Sequence, residues 1–429
     1  MRKAGKDLSR SSEEKFSESV NKRTIKTTEN RALNILVICN KSPWPAGEGG
    51  PIAMNNLIEG LIGAGHKVKV LALNTNKYHV DVDQIPADYR KKTGIQFAYI
   101  DLSVKLIPAF LNLFTQKSYH VQRFISRDFE KQLIDILKSE SFDIVQIELL
   151  YMSPYVQTIR KHAEARVVLR AHNIEHLIWE RLTASESNPV KRLYLNHLAT
   201  TLKNYELKVI RDYDGIVPIT KKDGAFFSAH TDTPVCPVSF GIDISQLEKA
   251  DHKEPEHAAF HIGAMNWLPN EEGIRWLLEK VWPIVKEKEP DLPLYLAGRH
   301  MPSWIQGKPE QKLYVPGEVP DAYEFIKSKS ISVAPLLSGS GIRIKIIESR
   351  AMGRAVISTT IGAEGINYIP GENMLIADSP EAFASAIVDL YRHPEKARKL
   401  GEKARQLVRE QHATKQIIKR LVSFYREIL

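Results

Sequence analysis

Only two cysteines, Cys39 and Cys236, occur in 429 residues. That is too few for a disulfide framework, and neither stands in the spacing of a metal-ligand set, so the fold must rest on buried apolar side chains. No uninterrupted apolar stretch reaches the roughly 18 residues that a membrane-spanning helix needs. No Asp-x-Asp motif stands in a setting suited to a divalent cation, so metal independence is expected. Acidic residues are the scarcer charge, 51 against 60 Lys and Arg, for a net +9. Much of that excess sits at one end: Met1 to Arg31 holds nine basic and five acidic residues. This Ser-, Lys- and Glu-rich leader, residues 1–31, reads as disordered and lacks the apolar centre of a secretory signal, so a cytoplasmic location is expected. The modest charge left in the body suits anionic ligands or an anionic membrane surface and does not call for nucleic acid.

What is present is an ordinary globular composition, 43% hydrophobic and 26% charged. The length exceeds one core and fits two α/β domains. Asn34 to Cys39 is a continuous apolar strand, followed by a glycine-rich loop to Gly50, a helical pattern from Ile52 to Ala64 and a strand from Val68 to Leu73. This is a βαβ unit. Gly49 and Gly50, just before the helix, let main chain approach a ligand, or form a plain surface turn. Further strands are expected at Gln96 to Leu102, Ile144 to Ile147, Val167 to Leu169 and Gly215 to Ile219, with helices between them. Pro-, His- and charge-rich residues from Pro234 to Glu256 mark a boundary. Beyond it the alternation restarts with strands at Phe260 to Ile262, Leu294 to Ala297, Leu313 to Val315, Ile331 to Val333 and Val356 to Ser358. A helix is expected from Glu271 to Glu287, and amphipathic helices from Pro380, Pro394 and Thr414. Two doubly wound domains, 32–240 and 241–414, should face a cleft, with helix 415–429 returning to the first.

The densest chemistry lies between Ala334 and Ile366. Gly339, Ser340 and Gly341 form a loop between a strand and a helix expected to start at Ile342, an arrangement that presents backbone N–H groups to an anion. Lys345 and Glu348 fall one turn apart, either as an internal ion pair or as ligand contacts. Arg343 and Arg350 fall on another face.

The run Gly339-Ser340-Gly341-Ile342-Arg343-Ile344-Lys345, with Glu348 and Ala351-Met352-Gly353-Arg354-Ala355-Val356, resembles the donor-site signature of family 4 glycosyltransferases, the GT-B enzymes of glycosyltransferase group 1. The N-terminal glycine loop, Gly263 to Asn270 and Ile361 to Ile366 agree with it, in order, over about residues 33 to 425. The resemblance implies two Rossmann-like domains, the first facing the acceptor and the second binding a nucleotide-diphosphate sugar, with no cofactor besides that donor. It also implies retention of anomeric configuration, with the leaving diphosphate assisting acceptor deprotonation, and a hexosyl group moved to a glycan or lipid-linked acceptor in cell-surface polysaccharide or glycoconjugate synthesis. Glu348 matches the second glutamate of the family's pair, which binds the ribose. Ser340 stands where the first would be, and no basic residue follows Gly263, so Arg343 and Lys345 are expected to take the diphosphate. His172, just past a strand end, matches the family's active-site histidine; His176 is a weaker candidate, and Glu148 either faces the cleft or is simply solvated. A GT-B epimerase and a catalytically silent sugar-nucleotide-binding subunit are the alternatives. The apolar stretch Val104 to Phe114, followed by Lys117, His120 and Arg123, reads first as a core helix and second as a contact with the membrane's inner face.

Overall fold

The computed structural model describes residues 31–46, 49–243, 254–339 and 342–429. The expected leader, the middle of the boundary segment, Ser340 and Gly341 lie outside the described residues. Strands β1 (Asn34–Cys39), β2 (Lys67–Thr75), β3 (Gln96–Ile100), β4 (Ile144–Glu148), β5 (Arg166–Ala171) and β6 (Gly215–Pro218) form one parallel sheet in the order β3-β2-β1-β4-β5-β6. A second parallel sheet, β12-β11-β10-β7-β8-β9, is built from β7 (Glu256–Ile262), β8 (Leu294–Ala297), β9 (Leu313–Gly317), β10 (Lys329–Ala334), β11 (Ala355–Ser358) and β12 (Leu375–Ile376). Counted within its own domain, each sheet follows the doubly wound order 3-2-1-4-5-6. The order reverses between β1 and β4 and between β7 and β10, and there the strands' carboxyl ends open crevices.

The central strands are mostly apolar, and both of their faces are covered. Every residue from Ile144 to Glu148 is buried, including the glutamate. Helices named below are α1 (Gly49–Gly63), α2 (Leu106–Asn112), α3 (Tyr119–Gln122), α4 (Glu175–Ser185), α5 (Pro189–Val209), α6 (Leu268–Trp276), α7 (Ile344–Ala351) and α8 (Thr414–Ile428). The helix expected from Glu271 to Glu287 is broken by a π turn at Leu277–Val281. Pro283 accounts for it: without an N–H it cannot bond back one turn, and the ladder loosens just before it.

Helix α8 closes the first domain. Its Ile417, Leu421, Phe424 and Tyr425 share a core cluster with Leu33, Ile35 and Leu57 of that domain. Gly60 permits this approach, since a Cβ there would stand 2.7 Å from Thr414 Cγ2 and 2.8 Å from Ile418 Cγ1. A further apolar cluster joins Ala53 and Ile219 to Ile346 and Ile347, so the two domains touch through side chains beside the crevice. Among the described residues no helix is long and apolar enough to cross a membrane.

Candidate donor and transfer site

One end of the candidate site is built where β10 gives way to α7. The chain turns at Gly339, whose φ of +97° is left-handed. A Cβ there would also stand 3.1 Å from Trp267 and 3.2 Å from Pro269, so conformation and space both call for glycine. Helix α7 opens at Ile344, two residues later than its spacing predicts, because Arg343 is still extended (φ −89°, ψ 90°). Arg343 is the N-cap, and an arginine side chain only donates, so no side chain caps the first turn. The Ile346 N–H turns back to the Arg343 carbonyl at 2.9 Å, which leaves the N–H groups of Ile344 and Lys345 to meet an incoming anion. The Arg343 guanidinium is buried with its centre 5.4 Å from the Trp267 ring, and burial pulls its pKa down to about 10. Trp267 is thus a cleft wall. Arg350 turns into the core, donating to Asn367 O at 3.0 Å and Asn373 Oδ1 at 3.3 Å.

Lys345 does not form the internal pair with Glu348. Its amine donates to Asn270 Oδ1 at 2.5 Å and lies 3.3 Å from His261 Nε2. His261 Nδ1 faces the Val333 carbonyl at 2.9 Å, so the proton sits on Nδ1 and Nε2 accepts from the lysine. Burial, then the Lys345 charge, drive the His261 pKa well below its usual value. Burial, then Arg343, bring the Lys345 amine down to about 7. Gly263 is the close neighbour: a Cβ there would stand 2.8 Å from Asn270 Nδ2 and 3.2 Å from the Lys345 amine. Glu348 accepts from the Tyr323 hydroxyl at 3.3 Å, and burial raises its pKa to about 7. A cation and a carboxylate thus lie on one short helix without compensating one another. Asn270, His261 and Tyr323 were not singled out from the sequence; the one signal was that Asn270 ends the Gly263 to Asn270 segment.

Across the crevice, α1 begins at Gly49, where a Cβ would come within 3.6 Å of Ile344 Cδ1. The glycine loop therefore faces the first turn of α7. A Cβ on Gly50 would stand 3.3 Å from the Lys41 amine, a cation whose place just past β1 was the overlooked hint. Ile342 lies between the domains, 3.2 Å from where a Gly365 Cβ would be, while Thr220 stands 2.9 Å away on the other side.

His172 follows β5, with Nε2 2.6 Å from Glu148 Oε2. Glu148 is neither solvated nor aimed into the cleft; it is fully buried beneath the histidine. It also accepts from the Gln146 amide, and Gln146 accepts from the Tyr425 hydroxyl of α8. The Arg170 Nε stands 3.9 Å away. An acceptor at Nε2 puts the proton there and leaves Nδ1 as the other working atom of the ring. Directly after Glu148, Leu149 adopts φ 73°, ψ 147°, a region that costs a side-chain-bearing residue on the order of 1–3 kcal/mol. His176 has a structural task. Its Nδ1 is 2.6 Å from Glu206, whose carboxylate also accepts the N–H groups of Glu175 and His176 at the start of α4.

An ionic clasp spans the domains. Arg181 on α4 donates two 3.0 Å hydrogen bonds to the Glu364 carboxylate, and the Lys222 amine adds one of 2.9 Å. The Arg181 hydrogen bonds foremost hold the Glu364 pKa at about 2. A depressed carboxylate contributes its stability above the ordinary carboxylate range and loses it only as pH falls through the folded value, so near neutrality this clasp responds to salt and not to protons. Arg181 is 49% exposed, and screened pairs of this kind contribute at most about 1 kcal/mol. Glu364→Gln is expected to leave the melting temperature nearly unchanged and to widen the distribution of domain separations in small-angle scattering; an unchanged distribution would mean that the clasp does not hold the domains together.

Residues 256–393 match the family described as Glycosyl transferases group 1. A Klebsiella pneumoniae protein called "Uncharacterized 44.6 kDa protein in cps region" is 22% identical over 402 residues, 89% of this chain and 97% of that relative. Sucrose-phosphate synthase from Thermosynechococcus elongatus superposes with a TM-score of 0.63 at 15% identity, covering 93% of this chain and 99% of the synthase. Alr3699/HepE of Anabaena, solved in complex with UDP, also gives 0.63, at 10% identity over 92% of this chain and all of that one. Together with the two doubly wound sheets, these likenesses establish a GT-B fold for the chain.

Proposed function

We propose that this chain is a retaining glycosyltransferase that moves a hexosyl group from a nucleotide-diphosphate sugar to a glycan or lipid-linked acceptor, in synthesis of a cell-surface polysaccharide. The observation that carries the reading is the buried, mutually uncompensated pair on α7, Lys345 and Glu348, beneath Gly263 and beside an uncapped helix start. Such a slot matches a diphosphate for the lysine and ribose hydroxyls for the carboxylate, each supplying the opposite partner that the protein withholds. Arg343, Lys345 and the first turn of α7 would then stabilise the charge growing on the departing phosphate, with Gly339 and Ile342 lining its path. Gly49 and Gly50 would close over the donor from the other side, and His172 would act beside the transferring sugar. Uridine nucleotides are the first donors to test, since Alr3699/HepE was solved with UDP and with UDP-glucose. The cps-region setting of the Klebsiella relative supports the polysaccharide assignment.

A panel of UDP-, GDP- and ADP-sugars screened by calorimetry, followed by product analysis with and without acceptor, tests the proposal. Tight binding of one nucleotide series and acceptor-dependent release of its diphosphate are expected. Sugar interconversion without acceptor would mean an epimerase; binding without turnover on any acceptor would mean a silent subunit.

A further inference from the structure

The stretch Val104 to Phe114 is not a core helix. On and just beyond α2, Ile107, Phe110, Leu111 and Phe114 recur at positions three and four apart, the spacing of one helical stripe, and that stripe faces solvent. Ile107 is 75% and Phe114 77% exposed, and the Phe110 and Phe114 rings pack edge to face with centroids 5.6 Å apart. The chain around α2 is held in place by polar contacts: the Lys105 N–H donates to the Tyr119 hydroxyl at 3.2 Å, and His197 Nε2 on α5 meets the Asn112 carbonyl at 3.2 Å. The exposure is therefore built in.

The second helix extends the same surface. Val190 and Leu193 share with His197 one face of α5, at spacings of seven and four residues, and they are 78% and 73% exposed. Charge around this apolar area is mainly positive. Lys105, Lys117, Arg123, Arg127 and Arg192 outnumber Asp101, which lies within electrostatic reach of Lys105 and Arg123, and Asp128, while Lys191 pairs with Glu186 at 2.6 Å. Exposed aromatic and aliphatic side chains beside a surplus of cations match an anionic bilayer, whose headgroups attract the cations while the rings enter the acyl boundary.

The position fits as well. Helix α2 follows the carboxyl end of β3, on the same side of the sheet as the β5 end that carries His172. The two regions are linked through α4, whose Trp179 stacks on His120 of α3 at 3.9 Å. We infer that the α2–α5 surface docks the chain on an anionic lipid bilayer, with the crevice mouth turned toward acceptors lying in that membrane.

The test is co-sedimentation of the full chain with sucrose-loaded vesicles of phosphatidylcholine alone or mixed with phosphatidylglycerol, at low and high salt. Binding to the anionic vesicles is expected to exceed that to neutral ones by about tenfold or more and to weaken with salt. Phe110→Ser with Phe114→Ser, and separately Leu193→Ser, should each lower binding by several-fold or more, while circular dichroism and melting temperature stay parental because these side chains support no core. Vesicle binding is read without donor or acceptor, so its outcome is independent of the proposed transfer reaction. The inference fails if the parent chain stays in the supernatant with anionic vesicles, or if folded variants sediment as the parent does. It fails equally if light scattering shows a dimer that the same substitutions abolish, which would make a second copy the occupant.

Discussion

His172→Ala should lower turnover by about 100-fold or more while donor affinity, measured by calorimetry, stays near the parental value. The reason is geometric. His172 Nε2 is tied to a fully buried carboxylate 2.6 Å away, so the ring is fixed and, under the proposed function, Nδ1 would be the atom that acts on the transferring sugar. Such a group touches the transition state more than the nucleotide. Glu148→Gln refines the test, since its amide would donate toward Nε2 and favour the opposite tautomer. It should reduce turnover less than the alanine variant does and alter the pH profile of turnover, with donor affinity unchanged. A folded His172→Ala protein with parental turnover on its acceptor would exclude this histidine from the chemistry.

The second large effect concerns Lys345. With an amine pKa of about 7 in the free protein, bringing a diphosphate alongside requires proton uptake above that pH, so affinity should fall as pH rises past 7. Glu348, also at about 7, acts in the other direction: hydroxyl donors favour its ionised form, so affinity should fall as pH drops below 7. Nucleotide affinity should therefore peak near neutrality. Lys345→Met should weaken binding about 10- to 100-fold at pH 7, the equivalent of one charge-assisted hydrogen bond at roughly 1.5–3 kcal/mol, and flatten the alkaline limb. Glu348→Ala should weaken binding similarly and flatten the acid limb. For the free protein the sign is opposite to that of a stabilising ion pair. A lysine with a depressed folded pKa detracts from stability below about pH 7, and the deficit shrinks as pH rises toward its unfolded value. Removing the amine should thus leave the unliganded melting temperature at pH 6 at or above parental. If affinity and both limbs are unaltered while the protein melts earlier, Lys345 is a structural residue.

The sheets were legible because strands buried on both faces write themselves as short continuous apolar runs: Asn34 to Cys39 coincides with β1, and Leu294 to Ala297 with β8. The glycine loops were legible for a related reason, since a tight turn leaves few alternatives to glycine. What surrounds them was not. Lys345 meets Asn270 and His261, 75 and 84 residues away, and no local spacing records such contacts; the sequence left a pair with Glu348 open as the alternative to ligand contact, and that pair does not form. Glu148 was expected either to face the cleft or to be solvated, because a carboxylate at a strand end is seldom fully buried. Its burial follows from β5 and α8 closing over β4, which only the assembled sheet reveals. The start of α7 was misplaced by two residues because Ile342 and Arg343 continue the apolar and charged pattern of the helix without adopting its dihedrals. The same ambiguity made the α2 stripe look like core: a sequence shows that a face is apolar and not what covers it.

The return of α8 to the first domain bears on how the chain can be synthesised. Leu421 and Tyr425 are fully buried against strands formed by residues 34 to 72, so the first sheet cannot exclude water from that face until residues 414 to 428 have left the ribosome. The second domain, read in between, can complete its own sheet earlier. The order of folding is then the reverse of the order of translation for the two halves, and the ribosome-bound nascent chain holds an open apolar sheet throughout synthesis of the second half. Chaperone dependence, and the solubility of any fragment ending before residue 414, should follow from that one helix.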